Sequence, residues 1–172
     1  MPPAACSKRW RGSEMKTLVI GFGNRSRNDD GVGWFVVEQL ENLALPDVEL
    51  LTAHQLEVDH AEVISRFDVV IFVDAATSET PQPVTRTVVK PNYQSHAVAH
   101  YLAPGDLLQL SESFFGRAPQ GILFGIRGFD FNFGTALSPE TERAARDVVR
   151  QIHSLLPTLA HEAGSGGLTA NA

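Results

Sequence analysis

The chain has 172 residues, 43% hydrophobic and 20% charged, with a formal net charge of −6. That length supports one domain with one substantial core, and the acidic balance argues against phosphate-driven binding of nucleic acid. The single cysteine, Cys6, excludes an internal disulfide or a thiolate zinc site and is consistent with a reducing compartment. No apolar run is long enough to span a bilayer. Lys8, Arg9 and Arg11 are not followed by the apolar stretch of a secretory signal. A cytoplasmic location without a membrane partner is therefore expected.

Residues 1–14 read as a disordered leader, with Met15 as a candidate start. One folded domain is expected over 15–158 and a flexible tail over 159–172, where small and polar residues accumulate. The first strand is the apolar run from Lys16 into Gly21-Phe-Gly. Val32, Phe35, Val36 and Leu40 recur at helical spacing, predicting a helix from Asp30 to Leu43. Val48–Thr52 is a weaker strand, and a helix over Val58–Phe67 places Ala61, Ile64 and Phe67 near one face. Asp68–Asp74 is almost continuously apolar, as a central parallel strand covered on both faces must be. Val84–Lys90 alternates and reads as a peripheral strand. A helix follows over Pro104–Phe115, then a strand over Gly121–Ile126. Ser138-Pro-Glu-Thr-Glu carries a cap, a first-position proline and a glutamate, starting a helix expected to reach about Leu155. Strands alternating with helices imply a mostly parallel sheet with helices on both faces. Ligands of such sheets bind beyond the carboxyl ends of the strands.

The turn after the first strand is glycine-rich, which raises dinucleotide binding. The match is poor. After Gly21 and Gly23 the third glycine place holds Ser26, and Asp29 and Asp30 lie where a pyrophosphate would sit. Two carboxylates repel phosphate and attract a cation. Both also suit a helix N-terminus, and one can cap while the other faces the crevice. Asp74, after the central strand, reaches the same edge, although a lone aspartate there is as often a turn residue. His96 and His100 follow the fourth strand. Two carboxylates and an imidazole meeting across one crevice suit a borderline divalent metal such as nickel or zinc, with positions left open for substrate. No protease nucleophile is evident.

Gly21-Phe-Gly-Asn, Asp29-Asp30-Gly31-Val-Gly33, Phe72-Val-Asp74-Ala, His100-Tyr-Leu-Ala-Pro-Gly-Asp-Leu-Leu and Asp130-Phe-Asn-Phe-Gly occur in one order along residues 16–155. In these motifs the chain resembles the hydrogenase maturation proteases. The resemblance implies a three-layer α/β/α sandwich around a twisted, mostly parallel five-stranded sheet. It implies an endopeptidase that removes the C-terminal extension of a nickel–iron hydrogenase large-subunit precursor after nickel insertion. On the same basis Asp30, Asp74 and His100 are the expected nickel-recognising residues, with Asp30 and Asp74 the catalytic candidates and His96 the rival of His100. The nickel would arrive with the precursor. The implied alternative is a non-catalytic, nickel-sensing maturation chaperone. Asp29 reads as the capping residue, Asn24 as a turn residue, Phe131 and Phe133 as packing residues, and His54-Gln-Leu as loop structure. Gly21, Gly23 and Gly31 are expected to serve backbone geometry.

Overall fold

A computed structural model describes residues 15–77, 79–92 and 102–165. The expected leader, Cys6, His96 and His100 lie outside the described residues. Five strands form one sheet: β1 (Thr17–Phe22), β2 (Val48–Ala53), β3 (Val69–Ala76), β4 (Val84–Val89) and β5 (Gln120–Arg127). Their spatial order is β2-β1-β3-β5-β4. All neighbours are parallel except β4, which runs antiparallel to β5 at one edge. Among the described residues four α-helices flank the sheet: α1 (Val32–Glu41), α2 (His60–Ile64), α3 (Pro104–Phe115) and α4 (Pro139–Ser165).

The period-two alternation of strand side chains sorts the core into two layers. Val69, Ile71 and Val73 of β3 join Val36 and Leu40 of α1 and Val148 and Ile152 of α4. Val70 and Phe72, on the opposite face, join Ile64 of α2 and Leu107 and Leu108 of α3. β3 is therefore apolar at consecutive positions because both of its faces are covered. Each large side chain withdrawn from water contributes roughly 1.5–3 kcal/mol. This is the α/β sandwich that the alternating pattern predicts.

Most boundaries differ from the sequence reading by a residue or two, and four differences have a clear local cause. Asn28–Gly31 is a 3-10 turn rather than the start of α1, because the Asp29 carboxylate bonds to the β5–α4 loop rather than to its own helix. α2 is shorter than Val58–Phe67, since the Phe67 N–H bonds to Ile64 O and tightens the exit toward β3. β3 continues beyond Asp74 to Ala76, pairing Asp74 with Gly125. α4 runs past Leu155 to Ser165, through Pro157. Its apolar stripe continues beyond the proline, with Leu159 buried beside Ile152 and Val148. Tertiary packing there outweighs the hydrogen bond that a proline cannot make.

Candidate functional site

From β1 the chain crosses through α1 to β2 on one side, whereas β3 sends it on toward β4 and β5 on the other. The crevice at this divergence, between the carboxyl ends of β1 and β3, is where open α/β sheets bind ligands. Its floor is tightly built. A Cβ at Gly33 would lie 2.6 Å from both Phe22 N and Val73 O, so the first turn of α1 rests directly on the two strands. Gly23 adopts φ +134° and lies so near Asp30 O that a Cβ would be 2.0 Å away. Glycine alone satisfies both conditions. The indole N–H of Trp34 closes the turn by donating to Gly23 O at 3.0 Å.

Above this floor lies a cleft of about 560 Å³, lined by Asp30, Asp74, Arg27 and His54 together with apolar Phe22 and Leu102. Asp30 Oδ2 accepts the Asn24 N–H at 2.9 Å. Asp74 Oδ1 accepts the N–H of Ala75 at 2.8 Å. Burial pushes the Asp74 carboxyl up to about 7; the Ala75 N–H opposes that shift and the nearby charge of Asp30 adds to it. Asp74 thus exchanges a proton near neutral pH, beside a second carboxylate. Such a pair can perform acid–base chemistry or bind a cation as the proton leaves.

Asp29 turns the other way. It is fully buried. Burial alone would raise its carboxyl, but N–H groups of Phe129, Ser138 and Asp130 and the Ser138 hydroxyl hold it below the ordinary carboxylate range. The Thr141 hydroxyl also donates to it, at 3.0 Å. The expected helix cap is not formed: Asp29 bonds instead to the β5–α4 loop, at the N–H groups of Phe129, Asp130 and Ser138, the last immediately before α4. Consecutive residues therefore divide two tasks, with Asp29 locking the loops and Asp30 facing the cleft.

The expected pair Asp30 and Asp74 is brought together, whereas His100 and its rival His96 fall outside the described residues. Among the described residues, no group of three or more His, Cys, Asp or Glu side chains is placed to hold a metal ion. Asn24 is a turn residue, its Oδ1 accepting the Ser26 N–H at 2.9 Å. Phe131 is half-buried with its ring against Gly128. Phe133 does not pack; it is 90% exposed. His54, read as loop structure, lines the cleft, as does Arg27, which sequence reasoning passed over. Applying the carboxyl-edge rule to β2 as well would have singled out His54, because it immediately follows Ala53.

The fold is that of solved structures described as hydrogenase maturation proteases. The similar structures include HycI of Thermococcus kodakarensis KOD1, at 22% identity and TM-score 0.67, covering 84% of this chain and 94% of that one. HybD, the hydrogenase maturating endopeptidase of E. coli, matches at 22% identity and TM-score 0.66, with the same two coverages, 84% and 94%. The hydrogenase 2 maturation peptidase of a Thaumarchaeota archaeon matches at 25% identity and TM-score 0.63, covering 83% of this chain and 98% of that one. No protein-family model matches the sequence, and no curated protein matches it significantly. Among the described residues, no helix is long and apolar enough to cross a membrane.

Proposed function

We propose that the protein is an endopeptidase that trims the C-terminal extension of a nickel–iron hydrogenase large-subunit precursor once nickel has been inserted. The observation that carries this reading is the meeting of Asp30 and Asp74 in one cleft, at the carboxyl edge of a fold shared with maturation endopeptidases. In this reading the nickel belongs to the substrate. Asp30, Asp74 and His100 engage it, which docks the extension only on a loaded precursor. Asp74 releases its proton as the cation approaches, and the freed carboxylate either ligates the metal or takes a proton from the attacking water. A metal held against the scissile carbonyl would polarise it.

The test is incubation with a purified nickel-loaded precursor, beside a nickel-free one, read by intact mass. Loss of a defined C-terminal fragment from the loaded form alone is the expected result. Binding of loaded precursor without shortening would instead favour a nickel-sensing chaperone. Asp74→Asn is expected to abolish trimming; full activity in that variant would remove Asp74 from the reaction.

A further inference from the structure

The loop between β5 and α4 is cross-braced to the loop after β1, whose Asn24, Arg27 and Asp30 line the cleft. Asn28 N–H donates to Gly134 O at 3.0 Å, Gly134 N–H to Ser26 O at 3.0 Å, and Asp29 N–H to Asp130 O at 2.9 Å. The Asn28 amide adds a bond to Asp130 Oδ2 at 2.8 Å. Bonds of this kind fix the path of the loop and the direction in which each Cα–Cβ bond leaves it. Phe131 uses this to pack inward, but Phe133 stands 90% exposed. Arg27 is fixed beside it: Nε donates to Phe131 O at 2.9 Å, and the guanidinium carbon lies 5.9 Å from the centre of the Phe133 ring. The terminal amino groups of Arg27 make no hydrogen bond or ion pair among the described residues, and the side chain also lines the cleft.

A phenylalanine ring left in water contributes nothing to folding. Carried on a braced loop beside Arg27, which lines the cleft, it can fill a partner's pocket as interface anchors do. A guanidinium whose fork has no partner among the described residues matches a carboxylate in two-point contact. We propose that Phe133 and Arg27 form a preorganised docking point for the protein whose peptide enters the cleft, an apolar pocket of that partner receiving Phe133 and an adjacent carboxylate receiving Arg27. The inference rests on the endopeptidase reading. Charge supports it: the cleft offers Asp30 and Asp74 to a cation, while Arg27 at its rim offers the opposite sign. The partner is therefore cationic where it enters the cleft and acidic where it meets the rim.

The test is the dissociation constant for purified nickel-loaded precursor, measured with the wild type, Phe133→Ser, Arg27→Gln and Phe114→Ser. Phe114 is 70% exposed but lies at the far end of α3 from the cleft, so it controls for general surface stickiness. Phe133→Ser and Arg27→Gln are each expected to weaken binding about tenfold or more, with unchanged melting temperature, and Phe114→Ser by less than about twofold. Unchanged binding in Phe133→Ser and Arg27→Gln, or an equal loss in Phe114→Ser, would overturn the docking point. Wild-type protein that binds the precursor without trimming it would overturn the endopeptidase reading and leave the docking point standing. Wild-type protein that does not bind would overturn both.

Discussion

Asp74 and Asp29 respond to pH in opposite senses, and each response can be measured. The buried Asp74 carboxyl is raised from 3.8 to about 7. Between those values the folded protein holds a proton that the unfolded chain releases, so this residue lowers stability progressively as pH rises through the window. Thermal melts of Asp74→Asn should match the wild type near pH 3.5 and exceed it above pH 7, by on the order of 2–4 kcal/mol. A gap that stays constant with pH would contradict the shift. Asp29 is held below 3.8. Its contribution is present above the unfolded value and is lost as pH falls through the folded one. Asp29→Asn should cost about 3 kcal/mol or more at pH 7 in denaturant titrations, because several donors lose a charged acceptor, and less at pH 3. The sequence shows that one aspartate of this pair can cap. It does not show that Asp29 instead ties down the β5–α4 loop, because the partners at Phe129 and Ser138 lie about a hundred residues away.

At the scale of elements, the first turn of α1 rests on β1 and β3 without space for a methyl group. Gly33→Ala would bring a Cβ within 2.6 Å of Phe22 N and Val73 O, both main-chain atoms that cannot move aside. A loss of about 3 kcal/mol or more in folding stability is expected, together with weaker binding of substrate in the cleft. A melting temperature equal to the wild type would show that α1 can shift. These strands were legible in the sequence because an unbroken apolar run such as Val69–Val73 can be counted, although β3 in fact continues past Asp74 to Ala76. That count carried Asp74 to the crevice, and the glycine-rich turn carried Asp30 there. Short α2 was less legible, since its ending depends on a single tight turn at Phe67. The length of α4 was hidden by Pro157, a local stop signal overridden by the buried stripe ending at Leu159.

For the whole molecule, the two apolar layers are unequal in how they are closed. The layer under α1 and α4 is sealed at its far end by Leu159, 5% exposed. A chain ending at Pro157 should lose about 2–3 kcal/mol, read as a lower denaturant midpoint with the sheet still formed. An unchanged midpoint would make that last stretch of helix dispensable. Where Arg27 and Phe133 stand was not legible at all, because periodicity describes what faces a core and these side chains face away from it. The close seat of α1 also bears on redesign. A floor with no slack cannot be reshaped to change what the cleft accepts, so redesign must exchange the rim. The β5–α4 loop and the turn after β1 are bonded to each other and would have to be transplanted as one cassette.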